Sequence, residues 1–253
     1  MFNKKTILIF ISALLFLAII IYLLSIWKKA PNNPSAPNTP FSNVPYSPAP
    51  VPVSTEPTPN HGKITISDPS SSLDIKNSFD NFLTATQNDK TSKNDTQWLV
   101  ITDKKGSPVS LGAFSTSIGF KINPGISNLL NTNNYNIIYC SDGNKKDYGL
   151  VVNVRLFPNN PNIYQDMQRL MKDWEKTLFQ DTHSVVFPDI TFSQSDLDQK
   201  IEFKKGTYRY ADILLPDKKQ SSINYNIVFD SIIITSTLDC LKKASLNVET
   251  LEP

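Results

Sequence analysis

The sequence predicts a tethered α+β protein, in which an N-terminal transmembrane helix and a disordered proline-rich stalk precede one domain with a mainly antiparallel sheet packed by helices. Three observations predict this. Residues 6–27 carry no charge, ten of the 18 prolines fall within residues 31–60, and from residue 63 onward β-prone runs alternate with amphipathic segments. We therefore divide the chain into a short tail (1–5), a membrane helix (6–27), a linker (28–62) and a domain (63–253) with its core at about 73–246.

The uncharged run from Thr6 to Trp27 is long enough to cross a membrane, since about 20 apolar residues span a hydrocarbon core of about 30 Å. A cleaved secretory signal is the alternative, but its apolar region is usually about 7–15 residues long. Here the run continues to Trp27 and then meets Lys28 and Lys29. With the terminal amine, Lys4 and Lys5 outweigh that distal pair under the positive-inside rule. We expect a single span in the cell membrane, with the N-terminus inside and the domain extracytoplasmic.

The linker and the charge balance restrict the partners of the domain. Residues 31–60 contain no glycine and one charged residue, Glu56, so they favour extended polyproline II, which reaches on the order of 90 Å at about 3.1 Å per residue. Such a run also suits SH3-type domains, but only if it lies in the cytoplasm. Without the four lysines that flank the membrane helix, the chain has 21 basic and 23 acidic residues, which argues against a nucleic-acid partner.

The first half of the domain reads as helices followed by a hairpin. Apolar residues at helical spacing predict a helix from Leu73 to about Thr86, and the polar run 87–96 predicts a loop. A tight turn at residues 103–106 follows the next strand, and Ser110 is a candidate helix N-cap. The remaining predicted elements are a strand at 98–101, a short helix at 124–130 and an antiparallel hairpin of strands 135–140 and 148–156.

The second half is expected to hold one long helix and a meander. From Pro161 a single apolar stripe continues to Leu178, with a solvated opposite face of Gln168, Lys172, Asp173, Glu175 and Lys176. Strands are predicted at 200–203, 207–215, 223–229 and 232–234, with a turn at 204–206. Ser236 or Thr237 is expected to cap a final helix. Short connections predict a mainly antiparallel sheet with helices on one face.

Part of the domain resembles a known group of proteins. The residues concerned are Thr102 to Gly106 with Pro108, Asp173 to Thr177, Tyr208 to Tyr210, and Ser222 to Ala244. The run from Trp98 to Leu246 is similar to uncharacterised single-span, proline-stalked envelope proteins of small-genome candidate-phyla bacteria. The resemblance implies the same anchor, stalk and domain, but no activity and no site residue.

A search for catalytic and metal-binding patterns predicts none. The chain lacks G-x-S-x-G, H-E-x-x-H, P-loop and G-x-G-x-x-G motifs. Its two histidines are His61, near the linker, and His183, which is expected in a loop beside Asp181. We interpret His183 as a surface residue; the functional alternative is a catalytic dyad of His183 with Asp181. The carboxylate pairs Asp173 with Glu175 and Asp196 with Asp198 are interpreted as solvated. Asp142, Asn144 and Asp147 fail the calcium-loop spacing. We therefore expect no catalytic residue, cofactor or metal.

Cys140 and Cys240 are the only cysteines in the chain. Both lie in the domain that we place outside the membrane, where disulfides persist. A disulfide between them is one hypothesis, and two small buried hydrophobic side chains are the alternative. Their spacing excludes a C-x-x-C redox motif.

These observations lead to one functional hypothesis and two rivals. The preferred hypothesis is a membrane-anchored extracytoplasmic interaction domain, an accessory or structural component of a cell-envelope assembly with a protein partner. The rivals are a surface-tethered domain that binds solutes or glycans, and an envelope hydrolase. An exposed apolar edge or patch would favour the interaction domain. A concave pocket with aromatic and converging polar groups would favour the solute- or glycan-binding domain, and paired carboxylates would favour the hydrolase.

Overall fold

The computed structural model describes residues 60–88, 95–142, 145–154 and 162–251. The predicted tail, the membrane helix 6–27 and most of the linker lie outside these residues. In the described part of the chain, no helix has both the length and the apolar character that a membrane crossing requires.

The described residues form eight strands and seven helices. They are, in chain order, β1 (Asn60–Ile66), α1 (Ser72–Asn88), β2 (Asp95–Asp103), α2 (Leu111–Ile118), α3 (Pro124–Ser127), β3 (Leu130–Asp142), β4 (Lys145–Val154), α4 (Ile163–Trp174), α5 (Leu178–Val186), α6 (Gln194–Leu197), β5 (Lys204–Lys205), β6 (Arg209–Leu214), β7 (Gln220–Val228), β8 (Ser231–Thr235) and α7 (Leu238–Leu251).

The strands form one sheet in the order β1-β2-β3-β4-β8-β7-β6-β5. Every neighbouring pair is antiparallel except β1 and β2, which are parallel. A parallel pair needs a crossover connection, and α1 lies in that connection. The prediction of an α+β domain with a mainly antiparallel sheet packed by helices is therefore confirmed.

Strand β1 was not predicted. It begins at Asn60, inside the predicted linker, and alternates buried Ile64 and Ile66 with exposed Lys63 and Thr65. Only two apolar side chains mark this strand in the sequence, and the preceding prolines hide its start. The sheet consequently begins earlier than the domain boundary predicted at residue 63.

Helices α1 to α5 lie on one face of the sheet and contribute to the larger core. The helices α1, α2, α4 and α5 contribute residues such as Phe79, Phe114, Trp174 and Phe179, each at most 2% exposed. These aromatic side chains pack on alternate strand residues, of which Leu150 is typical. Burying one such side chain stabilises a fold by about 1.5–3 kcal/mol. This cluster contains more buried residues than the one on the opposite face, so it holds most of the apolar burial.

The opposite face of the sheet is covered by α7, which corrects the prediction that all helices lie on one face. Leu241, Ala244 and Val248 of α7 belong to a second buried cluster, together with strand residues such as Ile138 and Ile233. The neighbours of these strand residues in sequence belong to the larger core. Strands buried on both sides account for the fully apolar run Ile232 to Ile234.

The long predicted helix is interrupted. Helix α4 ends at Trp174, residues 175–177 form a turn, and α5 begins at Leu178. Asp181 stabilises the break, since one of its carboxylate oxygens accepts hydrogen bonds from Trp174 Nε1 (2.8 Å) and Thr177 Oγ1 (2.6 Å). No glycine or proline marks this turn, so the continuous apolar stripe concealed it.

Several predicted boundaries also move. Residues 200–203 are not a strand, and the predicted turn at 204–206 contains the two-residue strand β5. The helix expected at 124–130 ends at Ser127, and the loop expected at 87–96 is shortened by α1 and β2. Both capping predictions are confirmed: Ser110 Oγ accepts from the Ala113 amide, and Thr237 Oγ1 accepts from the Cys240 amide.

Candidate functional site

A cleft of about 380 Å³ lies between α4, the turn that follows it, and strands β5 to β7. We call it the α4–β7 cleft. Its volume is near the lower end of the roughly 300–1,000 Å³ that is usual for small-molecule sites. The residues that line it are Tyr164, Gln168, Lys172, Glu175, Lys205, Gly206, Thr207, Arg209, Tyr225, Asn226 and Ile227.

Helical periodicity places one wall of the cleft. Tyr164, Gln168 and Lys172 follow each other at four-residue steps, so they share one side of α4. Met167 and Met171, one position earlier than Gln168 and Lys172, are buried in the larger core. The inward stripe therefore fixes the helix on the sheet, and its polar neighbours are held along the cleft.

Strand register places the opposite part of the cleft. Arg209 of β6 and Tyr225 of β7 are directly paired, so their side chains emerge on the same face of the sheet. The turn after α4 brings Glu175 to both of them. Glu175 Oε1 accepts from Arg209 Nε (2.7 Å) and Nη2 (2.5 Å) and from the Tyr225 hydroxyl (2.7 Å). Three donors on one oxygen link the helix terminus to the sheet.

This network is only partly accessible to solvent. The side chains of Glu175 and Arg209 are 13% and 27% exposed. Burial lowers the pKa of the Arg209 guanidinium, but the hydrogen bonds and charge of Glu175 outweigh burial and raise that pKa above its ordinary value. Burial, followed by the adjacent Glu175 carboxylate, raises the pKa of the Tyr225 hydroxyl. Near neutral pH, Arg209 therefore stays charged and Tyr225 stays a hydrogen-bond donor.

The cleft has an excess of positive charge. Lys172 and Lys205 are exposed, and neither forms an ion pair with a described residue. Glu175 is the one carboxylate among the lining residues, and its charge is balanced by Arg209. A hydrolase of the two-carboxylate type needs a second carboxylate across the cleft, and the lining residues contain none. The lining residues thus present positive charge and hydrogen-bonding groups rather than a pair of carboxylates.

The interpretation of Glu175 as solvated is wrong. Asp173 is exposed, as expected, but Glu175 follows the end of α4 and turns toward the sheet, where Arg209 and Tyr225 enclose it. The two carboxylates of this pair do not act together. Helical spacing alone placed Glu175 on the outer side, because the end of α4 at Trp174 was not predicted.

The second carboxylate pair has a local structural role. Asp196 and the Ser193 side chain form a capping box at the start of α6. Asp198 accepts hydrogen bonds from Gln180 Nε2 (3.2 Å) and Gln194 Nε2 (2.8 Å). The two carboxylates therefore bond to separate local partners and do not face each other across a cleft.

His183 lies in α5, not in the predicted loop, and it does not pair with Asp181. Its Nδ1 is 2.8 Å from the carbonyl oxygen of Gln180, whereas the Asp181 carboxylate accepts from Trp174 and Thr177. His183 is half-buried beside the rings of Phe179 and Phe192. Its surroundings are those of a packed ring. The side chain of His61 lies outside what the structure describes.

Cys140 and Cys240 are joined by a disulfide in the structure, with their Cα atoms 5.7 Å apart. Cys140 lies on β3, and Cys240 lies in the first turn of α7, so the bond attaches that helix to the sheet. Asp147 is paired with Cys140 across the β3–β4 hairpin and accepts from Thr237 Oγ1 (2.9 Å) and Ser236 Oγ (3.4 Å).

Asp142 and Asp147, two of the three residues compared with a calcium loop, belong to no metal-binding group in the described part of the chain. There, no group of three histidine, cysteine or carboxylate residues is arranged to hold a metal ion. Asn144 lies outside the described residues. Asp147 is directed to the start of α7 instead of joining Asp142.

The residues of the α4–β7 cleft were not predicted as a site. A signal for one wall was present, since Tyr164, Gln168 and Lys172 follow a helical period on the polar side of α4. The opposite wall depends on the register of β6 with β7 and on the turn after α4, and neither was predicted.

Comparison of the chain with protein-family models, curated proteins and solved structures found no match. The resemblance to envelope proteins therefore stays a prediction.

Proposed function

We propose that this chain is a single-pass membrane protein that holds an extracytoplasmic α+β domain away from the bilayer, and that this domain binds a small polar ligand in the α4–β7 cleft. The observation that carries the proposal is the composition of that cleft. A half-exposed tyrosine ring, two lysines without an ion pair to a described residue, and the amide group of Gln168 line one concave surface. Ligand sites typically combine ring surfaces with a few converging polar groups.

The disulfide supports the location outside the membrane. Disulfides persist in oxidising compartments and are rare in the cytosol. Cys140 and Cys240 are bonded within the domain that the uncharged run 6–27 and its lysine flanks are expected to place outside. Two independent features of the chain thus favour the same side of the membrane.

The exposed apolar residues favour ligand binding over assembly through an apolar patch. Among the described residues, the large exposed apolar side chains are those of Leu73, Tyr164, Leu214, Phe229 and Leu246. They lie on α1, α4, β6, the turn between β7 and β8, and α7, so no single element presents two of them. Single exposed apolar side chains are ordinary on protein surfaces.

One observation keeps an assembly role as the second candidate. Strand β1 is at the end of the sheet order and pairs, among the described strands, with β2 alone. The unpaired backbone groups of an edge strand can accept a strand from a partner protein. The side chains of Lys63 and Thr65 are exposed on one face of β1 and would lie beside the side chains of an added strand.

Binding can be tested with the full-length chain in a mild detergent. Envelope polysaccharide from the source cells is immobilised, and retention of the wild-type chain is compared with that of Tyr164→Ala and of the control Leu73→Ala. Leu73 is also exposed but lies on α1. We expect Tyr164→Ala to lose most of the retention and Leu73→Ala to keep it.

Equal retention of both variants would contradict a role for the cleft. Co-purification of an envelope protein in stoichiometric amount would favour assembly through β1 if two conditions hold. Thr65→Pro must abolish the co-purification, and Tyr164→Ala must leave it unchanged.

A further inference from the structure

The charges of the α4–β7 cleft restrict its ligand further. Three cationic side chains, those of Lys172, Lys205 and Arg209, line the cleft with one carboxylate. That carboxylate, Glu175, already accepts three hydrogen bonds on Oε1 and is balanced by Arg209. The two lysines therefore leave an uncompensated positive charge along the cleft.

The two lysines come from separate parts of the fold. Lys172 lies in the last turn of α4, and Lys205 lies in β5, the short edge strand. Exposed lysines are common on protein surfaces, but here both line the same concave surface, and neither has a carboxylate partner among the described residues. Both lysines therefore add positive charge to the same cleft.

Arg209 adds a fixed donor to these mobile charges. Its Nε and Nη2 donate to Glu175, whereas Nη1 is not among the donors to that carboxylate. The ion pair with Glu175 also holds the guanidinium in place at the cleft. A guanidinium nitrogen positioned in this way is suited to a carboxylate or phosphate oxygen.

The uncharged lining residues favour a saccharide as the carrier of the anion. Tyr164 is 46% exposed and offers a ring face, on which the C–H face of a sugar can stack. Gln168 and Thr207 supply amide and hydroxyl groups of the kind that pair with sugar hydroxyls. The cleft volume of about 380 Å³ is suited to a short segment of such a chain rather than to a protein surface.

We propose that the α4–β7 cleft binds an acidic saccharide, one whose sugar units carry carboxylates. The sugar ring stacks on Tyr164, and the carboxylate lies among Lys172, Lys205 and Arg209. This inference rests on the proposed function, because it names the ligand class of the same cleft.

The test uses one polymer in two charge states. Binding of the full-length chain in detergent to short polygalacturonate is compared with binding to its methyl ester, which keeps the sugar backbone and loses the charge. Polyphosphate is the third probe. Lys172→Glu and Lys205→Glu are the cleft variants, and Lys104→Glu and Lys242→Glu, at exposed positions on other elements, are controls with the same change in net charge.

We expect polygalacturonate to bind and the ester to bind about ten-fold more weakly or not at all, since one charge-assisted contact contributes about that factor. Each cleft variant should weaken binding of polygalacturonate about ten-fold, and the controls should leave it unchanged. Binding should also weaken as salt is raised, because lysine charges at the surface are screened.

Other outcomes would overturn the inference in distinguishable ways. Equal binding of acid and ester, lost in Tyr164→Ala, would reject the anionic ligand and keep the saccharide cleft. Preference for polyphosphate, or no binding of either saccharide, would reject the acidic saccharide. The same loss in the control variants would show general attraction to the surface and reject both the ligand class and the cleft as its site.

Discussion

Glu175 is the residue on which the α4–β7 cleft depends. Its carboxylate joins the end of α4 to paired residues of β6 and β7, so it fixes the distance between the two sides of the cleft. Glu175→Gln keeps the shape and removes the charge, which leaves the Arg209 guanidinium, 27% exposed, without its counter-charge. We expect the free energy of unfolding to fall by about 1–3 kcal/mol in a urea titration followed by tryptophan fluorescence.

The exposed pair Lys200 and Glu202 provides the control for that variant. Its side chains are 86% and 78% exposed, so Glu202→Gln should have no measurable effect on unfolding. If Glu175→Gln also leaves the free energy of unfolding unchanged, the contacts of Glu175 with Arg209 and Tyr225 do not stabilise the fold.

Asp147 is expected to make stability depend on pH. Burial raises the pKa of this carboxyl, although hydrogen bonds from Thr237 and Ser236 oppose the shift. The native state therefore binds the proton more tightly than the unfolded state, and this contribution to stability grows as the pH falls through the raised pKa toward about 4. Asp147→Asn does not titrate. In urea titrations from pH 7 to pH 4, the free energy of unfolding of the wild type should rise relative to that of the variant. If the two free energies change equally with pH, the pKa of Asp147 is not raised by burial.

Residue patterns predicted hydrogen bonds between near neighbours in sequence, but not those between distant residues. Ser110 and Thr237 could be identified as caps because each lies next to the helix that it stabilises. Glu175 could not be assigned, because its partners are 34 and 50 residues away. Its environment depends on where a helix ends and on how two strands pair, and neither is encoded within one window of sequence.

At the scale of elements, α7 depends on a covalent link to the sheet. The disulfide between Cys140 and Cys240 closes a loop of 100 residues, for which the chain-entropy account gives about 4–5 kcal/mol of stabilisation. We expect reductant to lower the urea midpoint of the wild-type chain. The double variant Cys140→Ala with Cys240→Ala should unfold earlier and be insensitive to reductant.

Non-reducing peptide mass spectrometry provides the direct readout of this bond. A linked pair of peptides that reductant separates is the expected result. Two free thiols in natively prepared protein would contradict the bond between α7 and β3.

Close packing of β4 on β8 should make one glycine irreplaceable. A Cβ at Gly149 would lie 2.5 Å from the carbonyl oxygen of Ile234 and 2.7 Å from Cγ2 of Thr235, so the strands would have to move apart. We expect Gly149→Ala to destabilise the fold by about 1–3 kcal/mol in the same urea titration. Gly112 in α2 has no atom within 4 Å of such a Cβ, and Gly112→Ala should be neutral or slightly stabilising. Equal effects of the two changes would contradict the pairing of these strands.

Elements with strong periodicity were predicted, and elements set by tertiary contacts were not. Helix α1 could be identified from helical spacing, and the β3–β4 hairpin from two β-prone runs on either side of a turn signal. Strand β1 was missed because only Ile64 and Ile66 mark it, and β5 because it exists through its pairing with β6. The break after Trp174 depends on Asp181, which follows it in sequence.

At the scale of the whole molecule, the chain combines an expected anchor with a sheet that is covered on both faces. The α4–β7 cleft and the edge strand β1 belong to opposite ends of the strand order. If the run 6–27 spans the membrane, the linker enters the domain at β1, at the end of the sheet remote from β5.

Lysine labelling tests the central claim, the position of the domain outside the membrane. Spheroplasts that produce the full-length chain are treated with a membrane-impermeant amine reagent before and after lysis, and labelled peptides are identified by mass spectrometry. Lys104, Lys105, Lys218 and Lys219 are exposed on the domain, whereas Lys4 and Lys5 are expected inside the cell.

The account predicts that the four domain lysines are labelled in intact spheroplasts and that Lys4 and Lys5 are labelled only after lysis. Labelling of the domain lysines only after lysis would contradict the account.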